Sequence, residues 1–167
     1  PRMITGHFQG RVLSLLSKII NPKYILEIGT YTGYSALCLA EGLQKDGELH
    51  TIEVNEELHE MQRRYFDRSG FGPQIKQHIG DALDIVPELD PTFDLVFIDA
   101  QKVNYDAYFE AVIQKNKHKT VQKVGVFDVF ESASLGPDQR SIGIYLMYQS
   151  MTKSLEDRDV NKAHERL

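Results

Sequence analysis

The sequence predicts an α/β domain: a doubly wound, mainly parallel sheet with helices on both faces. Three observations carry this. Short strand-like apolar runs alternate with stretches of helical period. Roughly ten or more residues separate successive runs, enough for right-handed crossovers between parallel strands. Residues 93–99 are apolar almost throughout, as expected of a central strand covered on both faces.

Taken in order, residues 5–20 carry Phe8, Val12, Leu15, Leu16 and Ile19 at three- and four-residue steps. This predicts a helix with one apolar face, stopped by Asn21 and Pro22. Residues 24–28 read as a first strand closed by Gly29, residues 35–43 as a helix, and residues 49–53 as a second strand. Asn55 is placed to cap the next helix, with Glu56 and Glu57 where the helix dipole favours negative charge. That helix carries Leu58, Met61, Tyr65 and Phe66 on one side and ends at Ser69 and Gly70. A third strand over 75–79, a short helix between Asp81 and Pro87, the strand over 93–99 and a helix over 105–113 follow. Residues 124–130 are expected as a fifth strand and residues 139–155 as a last helix.

With 167 residues the chain suits a single domain, 1–167, with a proper core. Its 41% apolar and 26% charged residues exclude disorder as the main state. The 19 Lys+Arg against 24 Asp+Glu, a net charge of −5, argue against nucleic-acid and anionic-membrane partners. The single cysteine, Cys38, rules out an internal disulfide and fits a reducing, cytoplasmic setting. No apolar run approaches the ~18 residues of a membrane span, and no signal-peptide pattern opens the chain. The start at Pro1 and the polar finish read as trimmed ends.

In such sheets ligands bind beyond the carboxyl ends of the strands, where strand order reverses. Four stretches end strands there: residues 27–33, Glu53, residues 80–82 and residues 99–102. Gly29 and Gly33 allow a tight turn, with a purely structural turn as the alternative reading. The G-x-G-x-x-G dinucleotide fingerprint is absent, and Glu27 beside the turn would repel a phosphate, so a cationic ligand without phosphate fits better. Glu53 is placed to accept hydrogen bonds from both hydroxyls of a ribose. Asp81 either faces an adenine amino group or simply caps the next helix.

The runs LEIGTYTGYS (26–35), LHTIE (49–53), HIGDA (78–82) and DLVFID (94–99), in this order, resemble the class I S-adenosylmethionine-dependent O-methyltransferases. Their nearest branch is the cation-dependent catechol and caffeoyl-CoA type, a Rossmann-like fold, and the likeness extends from about Met3 to Tyr108. The resemblance implies that Met3 and Thr5 line the methionine side of S-adenosylmethionine. Gly29, Tyr31 and Ser35 would hold its amino-acid portion with Glu27 nearby. Glu53 would take the ribose, and Asp81 and Ala82 the adenine. Asp99 would lie beside the sulfonium and ligate a divalent cation such as Mg²⁺, and Lys102 would act as general base on the acceptor hydroxyl. Most lysines are simply solvated, so Lys102 depends on this resemblance.

Residues 114–167 depart from the family. A basic stretch over 114–123 replaces a Pro-Gly-Gly turn, and the family's Asp-Asn metal pair falls on Phe130 and Glu131. Asp128 and Glu131 are nearby carboxylates, expected on opposite faces of a strand. The family's additional N-terminal helices and final strand hairpin are expected to be missing. The resulting expectation is a cytoplasmic, dimeric O-methyltransferase for a small catechol-like or phenolic acceptor, assisted by a divalent cation. A metal-independent methyltransferase and a cofactor-binding module without turnover are the alternatives.

Overall fold

The computed structural model describes residues 6–116 with their side chains, together with the backbone strands 120–130 and 141–150. The chain divides into two compact units, Pro1–Lys115 and Asn116–Leu167. The first contains α1 (His7–Ile20), β1 (Tyr24–Ile28), α2 (Tyr34–Ala40), β2 (Glu48–Glu53), α3 (His59–Ser69), β3 (Ile75–Ile79), α4 (Ala82–Glu88), β4 (Leu95–Ile98) and α5 (Tyr105–Lys115). The second contains β5 (Thr120–Phe130) and β6 (Ser141–Ser150).

The four strands of the first unit lie in the order β3-β2-β1-β4, all parallel. The strand alternation of two sorts their side chains into two cores. Ile25 and Leu49 pack with Leu13, Leu39 and Phe66 from α1, α2 and α3. Leu26, Ile28 and Ile52 pack with Val86, Tyr108 and Val112 from α4 and α5. Burial on both faces fits the apolar run of β1, but β4, expected as a central strand, is an edge strand of this sheet among the described residues and is half-buried. Strand order reverses between β1 and β4, so the crevice for a ligand opens at the carboxyl ends of β1, β2 and β4.

The capping residues behave as their chemistry predicts. Asn55 accepts from the Glu57 N–H at 3.0 Å and opens a 3₁₀ turn, Glu56–Leu58, ahead of α3. Asp81 accepts from the Leu83 N–H at 2.9 Å and caps α4, in which Pro87 lies just before the end. On α3 the buried line differs from the expected one. Gln62 and Phe66 are buried, whereas Tyr65 is 46% exposed.

In the second unit the expected helix over 139–155 is instead a strand. Residues 141–150 pair antiparallel with β5, from Thr120 opposite Ser150 to Phe130 opposite Ser141. Ile142, Ile144, Tyr145 and Tyr148 explain this, because β-branched and aromatic residues favour a pleated surface, and a short apolar run carries no decisive helical period. The fifth strand therefore belongs to a hairpin-like antiparallel pair, not to the parallel sheet. A register shift between Val126 and Asp128 interrupts the two-residue alternation assumed for Asp128. Glu131 lies outside the described residues, as does the Phe130 side chain.

Candidate functional site

The turn after β1 is built from backbone that most residues avoid. Gly29 has φ 101°, and a Cβ there would run into the Asp99 carbonyl oxygen at the end of β4. The Gly29 N–H donates to the Ile52 carbonyl at 3.0 Å, and the Asp99 N–H donates to the Ile28 carbonyl at 2.9 Å. Gly29 is thus wedged between the ends of the two strands flanking β1. Tyr31 adopts a left-handed φ of 45°, unusual for a residue with a side chain. Gly33, at φ 82°, opens α2, and a Cβ there would approach the Phe66 ring at 2.6 Å.

Two of the predicted carboxylates hold this turn. Glu53 accepts from the Tyr31 N–H at 2.7 Å through Oε2 and from the Asn55 N–H at 3.0 Å through Oε1. Glu27 is fully buried on β1. Its Oε2 accepts from the Thr51 hydroxyl at 2.6 Å, and Thr51 shares a further hydrogen bond with the Thr30 hydroxyl. Glu27 Oε1 is buried with no hydrogen-bond partner. Burial pushes the Glu27 carboxyl up to about 7; the Ser35 and Thr51 hydroxyls oppose this rise, and the charges of Asp99 and Glu53 add to it. A positive neighbour at this place would favour the ionised carboxylate and oppose the rise that burial causes.

Ser35 is buried in the first turn of α2, close enough to Glu27 to favour its ionised form. Asp81 and Ala82 sit at the start of α4, with Asp81 exposed and Ala82 buried. Asp99 follows β4 and is exposed; its charge, after burial, raises the Tyr105 hydroxyl above its usual range. Lys102 is exposed and opens the 3₁₀ turn Lys102–Asn104 that leads into α5. Met3 and Thr5 lie outside the described residues. The structure thus gathers Gly29, Tyr31, Glu53 and Asp99 at the carboxyl ends of the strands, with Glu27 and Ser35 buried behind the turn.

Three supporting residues were not anticipated: Thr30, Thr51 and Gln62. The pairing of Glu27 with Thr51 is the parallel register of β1 and β2, which the strand sequence alone does not reveal.

The donor set suits an adenosyl cofactor that carries a cation and lacks phosphate. It offers the unsatisfied Glu27 oxygen, the Glu53 carboxylate, and a turn kept bare of a Cβ at Gly29. A metal finds less. Among the described residues no group of three or more His, Cys, Asp and Glu is placed to hold one, and Asp99 stands as a single exposed carboxylate.

A parallel sheet with its glycine turn at the reversal of strand order is the Rossmann-like methyltransferase architecture, and comparison with known proteins makes the assignment narrower. Residues 1–133 match the family described as O-methyltransferase. A catechol O-methyltransferase of Niastella koreensis is 36% identical over 125 residues, covering 72% of this chain and 57% of that protein. A caffeoyl-CoA O-methyltransferase of Petroselinum crispum is 37% identical over 117 residues, covering 66% of this chain and 48% of that protein. Among solved structures, the O-methyltransferase TomG from Streptomyces achromogenes, in complex with SAM, matches with a TM-score of 0.69 and 36% identity, over 74% of this chain and 57% of that one. An O-methyltransferase from Bacillus cereus in complex with SAH matches with a TM-score of 0.69 and 33% identity, over 75% of this chain and 59% of that one. This chain belongs to the O-methyltransferase family. It spans about half the length of the curated relatives it matches.

Proposed function

We propose that the chain carries the cofactor site of an S-adenosylmethionine-dependent O-methyltransferase acting on a small phenolic or catechol-like acceptor. The buried, half-satisfied Glu27 beside a glycine turn is the observation that carries this reading. It rejects a pyrophosphate and welcomes a cationic cofactor. In this reading Gly29, Tyr31 and Ser35 hold the amino-acid portion and Glu53 holds the ribose. Asp81 and Ala82 meet the adenine, and Met3 and Thr5 close the methionine side. S-adenosylmethionine supplies, when bound, a methyl group on a sulfonium that an acceptor oxygen can displace in line.

Positioning then does most of the work. Lys102 Nζ would take the proton of the acceptor hydroxyl, with the bound cofactor supplying the methyl group and leaving as its thioether. The proposal extends to Asp99 as a ligand for a divalent cation, to a cytoplasmic setting and to a homodimer. No step above depends on the cation. The relatives named for catechol and caffeoyl-CoA support the acceptor class.

Calorimetry with S-adenosylmethionine, followed by methyl transfer to a simple catechol with and without a chelator, tests the reading. Binding and product are expected, and Lys102→Met is expected to lower kcat by ~100-fold with binding retained. No cofactor binding by the full chain would overturn the assignment. Product that survives the chelator would establish a metal-independent methyltransferase, and binding without turnover a cofactor-binding module.

A further inference from the structure

Gln62 occupies a place on α3 where the helical pattern calls for an apolar residue, one turn before Phe66 and 1% exposed. Its Nε2 donates to the Tyr31 carbonyl at 2.7 Å. Its Oε1 accepts from Gln77 Nε2 at 2.9 Å, and the same Gln77 amide donates to the His59 carbonyl at 3.3 Å. Gln77 therefore fixes which way the Gln62 amide points. In doing so it leaves its own Oε1 buried with no partner. Buried amides without full hydrogen bonding are costly, so two glutamines arranged in this way call for a reason beyond filling space.

The reason lies at Tyr31. That residue holds a left-handed φ of 45°, a conformation that disfavours side-chain-bearing residues. Its N–H is held by Glu53 Oε2 at 2.7 Å and its C=O by Gln62. The Glu53 grip is partly exposed and uses the carboxylate assigned to the ribose. Gln62, in contrast, is buried and serves no proposed ligand. We infer that Gln62, aligned by Gln77, is the positioning residue that holds Tyr31 and the cofactor turn in binding geometry, with or without cofactor. The inference rests on the cofactor reading for its effect on binding, but the state of the turn itself is measurable without any ligand.

The test uses the full chain and two readouts. Hydrogen exchange of the 29–35 segment without ligand is expected to accelerate ~10-fold or more in Gln62→Met, which keeps the side chain's length and removes both hydrogen bonds. Calorimetry with S-adenosylmethionine is expected to show ~10- to 100-fold weaker binding in that variant. Gln77→Met keeps the Tyr31 bond but frees the Gln62 amide, and a smaller loss of ~3- to 10-fold is expected. It also serves should Gln62→Met fail to fold. A Tyr31→Gly background is the decisive control. Glycine takes the left-handed conformation freely, so Gln62→Met should cost much less affinity there than with Tyr31 present. A purely structural role for Gln62 would cost the same in both backgrounds. Unchanged exchange of the turn in Gln62→Met and Gln77→Met, or equal losses in the two backgrounds, would overturn the inference. If the wild-type chain fails to bind S-adenosylmethionine, the functional reading falls, and the exchange measurement alone decides the role of Gln62.

Discussion

Glu41, between α1 and α2, and Glu27, at the end of β1, are two carboxylates of one unit with opposite surroundings. Glu41 takes a hydrogen bond from Arg11 at 2.6 Å, from Ser14 at 2.7 Å and from Lys18 at 2.7 Å. The Arg11 guanidinium, then Lys18, hold its carboxyl down to about 2. Glu27 has hydroxyl neighbours, no cation, and an oxygen with nothing to accept. The helix contact is locally satisfied, as stable structure should be. The crevice combines an unsatisfied acid with a left-handed tyrosine and a glycine pressed against a carbonyl. Departures from local consistency collect at the site proposed for the cofactor.

Substitutions on the two sides should behave differently, and the largest effect is expected at the turn. Gly29→Ala drives a methyl group into the Asp99 carbonyl at a φ that alanine disfavours. Binding of S-adenosylmethionine should weaken by ~100-fold or more in calorimetry. Near wild-type affinity would erase the contrast by showing that the turn adapts.

Glu27→Gln should separate stability from function. Because burial raises this carboxyl, the native state retains a proton that the unfolded chain has released. Stability therefore falls as pH rises from 4.5 to about 7, and the loss is complete above that. Glutamine removes the penalty while keeping an acceptor for Thr51. At about pH 8 the variant should be more stable by about 1–3 kcal/mol in denaturant unfolding, yet bind the cofactor ~10-fold less tightly. A variant both less stable and equally competent would reverse the comparison.

The smallest effect belongs to the helix contact. Glu41→Gln should cost about 1 kcal/mol, since the carboxylate is partly solvated and its ion pairs are screened. Its lowered value means that the contribution is complete above 4.5 and is lost as pH falls toward about 2. Unfolding midpoints of wild type and variant should therefore converge in acid, with cofactor affinity unaffected at neutral pH.

Much of this arrangement was legible in the sequence, and the parts that were not share a cause. Strands β1 and β4 were readable from nearly unbroken apolar runs, whereas β2 and β3 carry polar residues at His50, Thr51, Lys76, Gln77 and His78. Gly29, Glu53 and Asp99 could be singled out because they stand at the carboxyl ends of such strands, where ligands bind in sheets of this kind. Thr51 and Gln62 were not, because a single polar residue inside an apolar pattern reveals its partner only once register and helix placement are known. Tyr65, which the periodicity placed on the buried side of α3, is exposed because Gln62 and Phe66 take the line beneath the turn. Residues 141–150 were read only as helix, and their pairing with β5 overturns that reading.

The contact of Gly29 with Asp99 also bears on how such a protein can diversify. The first residue after β1 packs against the backbone carbonyl of the first residue after β4, so a side chain at position 29 would have to move the end of β4. Exposure rises immediately beyond them, through Gln101 and Lys102 to Val103 at 85%. Val103 is therefore where a substitution beyond this contact should disturb the packing least. Gly29 and the Asp99 carbonyl thus form a fixed joint between two strand ends, with the exposed residues hung beyond it.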